Sequence, residues 1–100
     1  MKREVVITPR AKIEIQNVFD YLESKWNEKT KKQFSTKINT IINLIIENPE
    51  LFSVSNVNIK IRKAVVSKQS TLFYYFNSKH IIVLSVFDTR QNPTKINKIK

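Results

Sequence analysis

The sequence lacks several residue types that cofactor and metal chemistry requires. Without cysteine it can form no disulfide, no thiolate nucleophile and no cysteine-ligated zinc site. Without glycine it cannot build the glycine-rich loops that cradle nucleotide phosphates. Its one histidine, His80, cannot make a histidine-rich metal site. We therefore expect no cofactor and no bound metal.

Long hydrophobic runs are also missing. No apolar stretch approaches the roughly 20 residues needed to cross a bilayer. The opening MKREVVITPR is not followed by an apolar segment of signal-peptide length. We therefore expect a cytoplasmic protein with no membrane partner and no small-molecule cofactor.

Acidic residues nearly vanish from the second half of the chain. Residues 51–100 contain nine lysines or arginines and a single acid, Asp88, which gives a net charge of +8. Residues 1–50 contain nine cations and seven acids, which gives +2. A general preference for lysine explains why lysine outnumbers arginine, but it does not explain the loss of acids. The asymmetry favours a polyanionic partner: nucleic acid, the ribosome or an acidic protein.

What is present is enough apolar sequence for one domain. With 41% hydrophobic residues, a chain of 100 residues can bury one modest core. No repeat, low-complexity tract or linker divides it, so we expect a single domain over residues 1–100. The stretch 94–100 (TKINKIK) has three lysines and no acid after a proline, and we expect it to be a flexible tail.

The first part of the chain predicts a strand followed by a helix. Residues 4–8 (EVVIT) are rich in β-branched side chains, as strands are. Thr8-Pro9 is a helix-start signal, with threonine as the cap and proline in the first turn. Apolar side chains keep helical spacing from Ala11 to Trp26, and Asn27 then breaks the pattern.

A second helix is predicted to begin near residue 28 or 30. It ends at Asn48-Pro49, because the residue before a proline disfavours helical backbone. Two long helices with a tight connection indicate an antiparallel hairpin. Four carboxylates are expected on the outer faces of the helices, where solvation and pairing between residues i and i+4 explain them: Glu14, Asp20, Glu23 and Glu28.

The remaining sequence predicts three strands, at 59–66 (IKIRKAVV), 71–77 (TLFYYFN) and 80–87 (HIIVLSVF). The last of these is apolar on both faces and is therefore expected at the centre of the sheet. We predict an α+β fold of order β-α-α-β-β-β. The helix hairpin would pack on one face of a small, mainly antiparallel sheet, and the other face would carry Lys60 and Arg62.

Cationic side chains form the first candidate site. Three of them lie on the second predicted strand: Lys60, Arg62 and Lys63. Arg90 follows the end of the last strand, where Asp88 could pair with it or with Lys95. If the sheet places Arg62 and Arg90 on one surface, two guanidinium groups could grip a backbone phosphate or stabilise a pentacovalent phosphorane. An ordinary solvated sheet face explains the same residues equally well.

Aromatic residues and the histidine form a second candidate: Tyr74, Tyr75 and His80. An aromatic ring on an exposed sheet face can stack on an unpaired base, and a histidine can act as a general acid or base. Adjacent residues of a strand alternate faces, so one of the two tyrosines is expected in the core. A structural role is favoured for this set.

Five segments, in this order, resemble the RelE/ParE superfamily of type II toxins, the stable halves of bacterial toxin–antitoxin (plasmid stabilisation) modules. They are TPRAKIEIQNVFDYLESKW, INTIINLIIENPELF, IKIRKAVV, TLFYYF and IIVLSVFDTRQNP, and they cover nearly the whole chain. The fold that this resemblance implies is the same β-α-α-β-β-β arrangement.

The resemblance implies one of two cellular targets. RelE-like members cut messenger RNA in the ribosomal A site, and by resemblance Arg62, Arg90 and Lys60 would be the catalytic residues. This sequence has neither the tyrosine or histidine near the C-terminus nor the glycine that are usual in that branch. ParE-like members poison DNA gyrase and are not enzymes, and the segment RQNP looks more like them. We therefore favour the ParE-like branch, with a non-toxic antitoxin- or nucleic-acid-binding relative as a third reading.

Either branch implies a cognate antitoxin that is acidic where it binds the toxin. The target- or antitoxin-binding surface would include five residues: Lys60, Arg62, Lys63, Tyr74 and Arg90. The antitoxin segment is expected to fold on binding and to form a tight, salt-sensitive complex.

Overall fold

The computed structural model describes residues 2–56 and 58–90. Its elements are β1 (Glu4–Ile7), α1 (Pro9–Lys25), α2 (Glu28–Glu47), β2 (Arg62–Val65), β3 (Ser70–Phe76) and β4 (His80–Asp88). The predicted α+β class and the β-α-α-β-β-β order are confirmed. The tail predicted at 94–100 lies outside the described residues. Among the residues described, no helix has the length and apolar character that a membrane crossing needs.

Side-chain caps set where both helices begin. Thr8 Oγ1 accepts a hydrogen bond from the backbone N–H of Ala11 (3.2 Å), and Pro9 occupies the first turn, where no helical partner is needed for its nitrogen. Asn27 caps α2 through Oδ1, which accepts from the backbone N–H of Thr30 (2.8 Å). Two residues separate the helices, so the chain reverses at once and forms the predicted hairpin.

The sheet has the strand order β1-β4-β3-β2. β1 runs parallel to β4, and the other two neighbouring pairs are antiparallel. β4 has a partner strand on each edge, as its two-sided apolar pattern predicted. The mainly antiparallel character of the sheet is therefore confirmed, with one parallel pair at the β1 edge.

The core lies between the helices and one face of the sheet, which we call the inner face. The sheet contributes alternate side chains that are almost fully buried: Ala64, Leu72, Tyr74, Ile81, Val83 and Val86. The helices contribute Ala11, Val18, Leu22, Phe34, Ile38 and Ile45. Each fully buried leucine or isoleucine stabilises the fold by roughly 1.5–3 kcal/mol relative to an exposed one. The opposite side of the sheet is called the outer face.

The second predicted strand is shorter than its alternating pattern indicated. It begins at Arg62 instead of residue 59, because Asn58 draws the preceding backbone into a turn. The side-chain Oδ1 of Asn58 accepts from the N–H of Lys60 (2.8 Å), and its carbonyl accepts from the N–H of Ile61 (3.0 Å). Lys60 therefore lies on a turn and not on a strand.

The predicted face of Arg62 is also wrong. Ala64, two residues further along β2, is fully buried against the helices. Because residues i and i+2 of a strand share a face, Arg62 lies on the inner face, at the edge of the core. Lys63, which is opposite Phe73, is the cation that β2 presents on the outer face.

Candidate target-binding site

The end of β4 holds a buried carboxylate bound to an arginine. The Asp88 side chain is 0% exposed, and that of Arg90 is 19% exposed. Arg90 donates two hydrogen bonds to the carboxylate, from Nη2 to Oδ2 (2.7 Å) and from Nε to Oδ1 (3.1 Å). The hydroxyl of Ser70 and the backbone N–H of Arg90 also donate to it. The arginine that was predicted to bind an external anion thus already has an internal one.

These contacts keep Asp88 ionised. Burial alone would raise the pKa of its carboxyl group. The hydrogen bonds from Arg90 and Ser70, together with the charge of Arg90, outweigh burial and lower this pKa below its ordinary value. The same hydrogen bonds raise the pKa of Arg90. Since the two charges cancel at close range, Arg90 adds little to the basic surface.

Arg62 is likewise bound within the protein. Its Nη1 donates to the carbonyl oxygens of Phe52 (2.7 Å) and Glu50 (3.2 Å). Its guanidinium carbon lies 5.9 Å from the centroid of the Phe76 ring, within cation–π range. Arg62 therefore ties the loop that follows α2 to the start of β2, and one end of its donor fork is used for this purpose.

The structure does not bring Arg62 and Arg90 together. Arg62 is level with Tyr74 of β3, whereas Arg90 lies beyond the level of Ser70. The Arg90 guanidinium folds back onto Asp88, which is level with Ser70, so about four residue steps of ~3.3 Å, roughly 13 Å along the sheet, separate it from the level of Arg62. His80, at the opposite end of β4, lies about 26 Å from Asp88, the residue that binds Arg90, by the same measure. His80 is thus not placed to act with both arginines on one phosphate.

Tyr74 does not lie at the surface where it was predicted. Its side chain is 0% exposed, and its hydroxyl donates to the carbonyl oxygen of Pro49 (2.7 Å). Burial raises the pKa of this hydroxyl, and the charge of Arg62 only partly opposes that effect. The hydroxyl therefore keeps its proton and its hydrogen bond at neutral pH. Of the two adjacent tyrosines, Tyr75 is the exposed one, at 37%.

The outer face of the sheet carries an exposed apolar surface. Val6, Val65 and Tyr75 come from three different strands and are 43%, 63% and 37% exposed. Lys63 lies on the same face. A cleft of about 380 Å³ adjoins this surface, lined by Thr8, Arg10, Ser55, Ile61, Phe73, Leu84 and Ser85. Both helices pack on the inner face, so this surface has the character of a binding face.

One contact of α1 was missed in the sequence. Glu14, expected on a solvated helix face, has a side chain only 13% exposed. Its Oε1 accepts from Ser85 Oγ (2.7 Å) and from the backbone N–H of Val86 (3.2 Å). β1 ends level with Val83, so Glu14 serves as the next hydrogen-bond acceptor along the edge of β4. Nothing in its spacing distinguishes Glu14 from the other acids of the helices.

The end of the helix hairpin, with the adjoining flank of α2, is a second exposed feature, which we call the hairpin tip: Lys25, Trp26, Lys29, Lys32 and Lys37. Trp26 keeps the apolar spacing of α1, yet it is 56% exposed because it ends the helix beyond the edge of the core. Within the described part of the chain, none of the four lysines has an acidic partner within 4 Å. The spacing of apolar residues in the sequence does not show where the core ends, so it could not predict that Trp26 is exposed.

A metal site is not formed by the residues that the structure describes, which contain no cluster of three or more histidines or acids. Two exposed surfaces thus stand out in the described chain, the outer face of the sheet and the hairpin tip.

Solved structures with the same fold are type II toxins. The chromosomal ParDE system from P. aeruginosa matches with a TM-score of 0.72 at 10% identity, over 87% of this chain and 96% of that one. The YoeB dimer from Staphylococcus aureus matches at 0.62 and 18% identity, over 87% and 97%. The E. coli DinJ–YafQ toxin–antitoxin complex matches at 0.62 and 11% identity, over 90% and 96%. At these identities the likeness concerns the fold, which is that of the RelE/ParE superfamily.

The family within this superfamily is given by sequence. The model described as "ParE toxin of type II toxin-antitoxin system, parDE" matches residues 5–93. No curated protein sequence matches at a significant level. The chain belongs to the ParE toxin family, and the predicted membership of the RelE/ParE superfamily is confirmed.

Proposed function

We propose that this toxin inhibits DNA gyrase, or a related type II topoisomerase, by binding it, and that it does not itself cut nucleic acid. The carrying observation is that Arg62 and Arg90 are both bound within the protein, at levels of the sheet that lie about 13 Å apart. A ribonuclease needs cationic groups converging on one scissile phosphate, with an acid or base beside them. The match to the ParE family supports the same target.

The experiment is to induce the gene alone in bacteria and to follow plasmid supercoiling and protein synthesis in parallel. Supercoiling is expected to fail first, with filamentation and induction of the DNA-damage response. Purified protein should inhibit supercoiling by gyrase and accumulate cleaved DNA. If translation stops first and transcripts are cut only when ribosomes are present, the RelE-like ribonuclease reading replaces this one. Normal growth under strong expression would indicate a non-toxic binding protein.

A variant can separate the two mechanisms without disturbing the fold. Lys60 lies exposed on a turn and has no acidic partner within 4 Å among the described residues, so Lys60→Gln should leave folding unchanged. A ribonuclease that uses Lys60 against a phosphate would lose cleavage by orders of magnitude. Inhibition of gyrase through other surfaces should be retained. Arg62→Ala and Arg90→Ala are less informative here, because both arginines also support the fold.

We also propose a cognate antitoxin as the physiological partner, seated on the outer face of the sheet, with both proteins in the cytoplasm. The exposed apolar surface of that face supports this site, and the DinJ–YafQ toxin–antitoxin complex, which has the same fold, supports this kind of partner. An acidic partner would also satisfy Lys63 and the basic charge of the chain. The toxin and the product of the adjacent gene should co-elute, and high salt should weaken the complex.

The matched variants for the antitoxin test are Val65→Asp and Ile13→Asp. Both side chains are apolar and exposed, at 63% and 62%, but Ile13 lies on α1, away from the outer face. A buried charge at an apolar interface costs several kcal/mol. Val65→Asp should therefore weaken the complex at least tenfold, whereas Ile13→Asp should not. Equal affinities for the two variants would remove the outer face as the antitoxin site.

A further inference from the structure

The hairpin tip combines features that the proposed function does not use. Trp26 is the only tryptophan of the chain, and more than half of its surface is exposed. Residues 25–37 contain five lysines and one acid, Glu28. This is a dense basic segment in the half of the chain whose overall charge is close to neutral. The exposed Trp26 ring thus lies within this basic segment of the chain.

The tip is held in place by its neighbours. The backbone N–H of Trp26 donates to the carbonyl oxygen of Leu22 (3.0 Å), which continues α1 up to the ring. Asn27 caps α2, and Lys31 of α2 bonds to Glu23 of α1 (3.2 Å), joining the two helices just below the tip. The backbone that carries Trp26 is therefore ordered before any ligand arrives, which reduces the entropy lost on binding.

The cations of the tip extend along one flank of α2. Lys29, Lys32 and Lys37 line a shallow depression together with Gln33, Thr36 and one acid, Glu28, so the cations outnumber the acid three to one. Lys31 is the one lysine of this segment that has an acidic partner among the residues described. The others offer ammonium groups, with an amide and a hydroxyl between them. Such donors suit the successive phosphates of a nucleic-acid backbone.

We propose that the hairpin tip binds single-stranded nucleic acid, with the Trp26 ring stacked on an unpaired base and the lysines of α2 bound to the adjoining phosphates. Every base has a π-face, so stacking on tryptophan is tolerant of sequence, and the lysines supply affinity that depends on salt. The tip thereby gives this toxin a nucleic-acid contact that is independent of its protein target. The inference does not rest on the proposed function, because the assay below contains neither gyrase nor ribosomes.

The fluorescence of Trp26 provides a direct test, since no other tryptophan contributes to the emission. The full chain is titrated with a ten-nucleotide oligo-dT, with oligo-rU of the same length and with a DNA duplex. Oligo-dT should quench the emission with a Kd on the order of 10⁻⁶–10⁻⁵ M at low salt. The logarithm of affinity should fall with the logarithm of salt with a slope of about −2, for three phosphates contacted. The duplex should bind with little quenching, because its bases are already stacked.

Matched variants separate the tip from the general positive charge of the chain. Lys29→Gln with Lys32→Gln removes two charges from the tip, and Lys68→Gln with Lys79→Gln removes two exposed charges elsewhere. Only the first pair should reduce the salt slope, by about 1.4. With labelled oligo-dT followed by anisotropy, Trp26→Leu should weaken binding by roughly tenfold, and Trp26→Phe by less. Unchanged circular dichroism shows that each variant is folded.

Several results would overturn the proposal. The first is that neither single strand quenches the emission at low salt. The second is that the duplex quenches it as strongly as the single strands do. The third is that the two lysine pairs reduce the salt slope equally. A shift of Trp26 emission with protein concentration alone would assign the tip to contacts between two copies of the chain instead. If oligo-rU binds much more tightly than oligo-dT, the ligand is RNA; if the two bind equally, the site recognises single strands in general.

Discussion

Two basic regions of this molecule have opposite characters. At the ends of the strands, Arg62 and Arg90 are bound by backbone carbonyls and by a buried carboxylate. At the hairpin tip, Lys29 and Lys32 are exposed and have no acidic partner within the described residues. The arginines were functional candidates in the sequence, and the lysines of α2 were not among the candidates.

The difference teaches that the type of cation matters less than whether its donors are already used. A guanidinium group is a rigid fork that suits carbonyl and carboxylate acceptors inside the protein as well as phosphate outside it. A lysine on a helix face reaches solvent with a flexible chain and finds an internal partner only where an acid lies nearby. Arg62 and Arg90 therefore contribute mainly to stability, and the tip lysines mainly to the surface potential.

The largest expected effect follows from removing Arg90. Arg90→Ala leaves the Asp88 carboxylate buried without its ion-pair partner, and the free energy of unfolding should fall by roughly 3 kcal/mol. Urea denaturation measures this. The companion Asp88→Asn removes the charge on the other side of the pair. A loss below about 0.5 kcal/mol in Arg90→Ala would show that Arg90 is available to a ligand after all, since exposed pairs contribute only that much.

A smaller effect is expected for Arg62. Arg62→Met keeps most of the apolar stem against Phe76 but removes the donors to the carbonyls of Phe52 and Glu50. Since those carbonyls lie near solvent, water can replace the lost donors, and the loss of unfolding free energy should be about 1–1.5 kcal/mol. If Arg62→Met and Arg90→Ala lost the same unfolding free energy, the buried carboxylate would not be what distinguishes the two arginines.

The acid limb of the stability curve tests the same pair without truncating Arg90. The pKa of Asp88 is lower in the folded chain than its unfolded value of about 3.9, so the unfolded chain binds more protons in that range. The contribution is complete above about pH 5 and is lost as the pH falls through the folded pKa. Asp88→Asn should therefore show a shallower loss of stability below pH 5 than the parent chain. Parallel curves for the two proteins would contradict the assignment.

The smallest effect is expected at the hairpin tip. Lys29→Gln with Lys32→Gln breaks no ion pair within the described chain and should change the free energy of unfolding by less than about 0.5 kcal/mol. Thermal unfolding in low salt measures this, with Lys31→Gln as the comparison, because Lys31 bonds to Glu23 across the helices. A large loss in the double variant would show that the tip lysines belong to the fold, as the two arginines do.

The helices and the order of elements along the chain were predictable because they depend on local patterns. Thr8-Pro9, Asn27 and Asn48 mark helix ends through capping and backbone restrictions that act over a few residues. The two-sided apolar run of β4 predicted its central place. The prediction of a strand over residues 59–61 was wrong for an equally local reason. The Asn58 side chain accepts a hydrogen bond from a backbone N–H that would otherwise pair with a neighbouring strand.

The candidate sites were less predictable because they depend on partners that are distant in sequence. Glu14 finds Ser85 and Val86, more than 70 residues away. Tyr74 and Tyr75 could not be assigned to faces until the helices were placed over one of them. Trp26 has the spacing of a core residue and lies just past the end of the core.

The sequence alone therefore determined the class of fold and the family resemblance, because hydrophobic period, caps and the order of segments are properties of the chain itself. Only the tertiary structure decided which cations are available to bind a target. A guanidinium or ammonium group is available only when no carboxylate or carbonyl lies within hydrogen-bond reach, and such distances are set by packing between segments far apart in the chain. That is why Arg90 is bound within the protein while the tip lysines remain exposed to a partner.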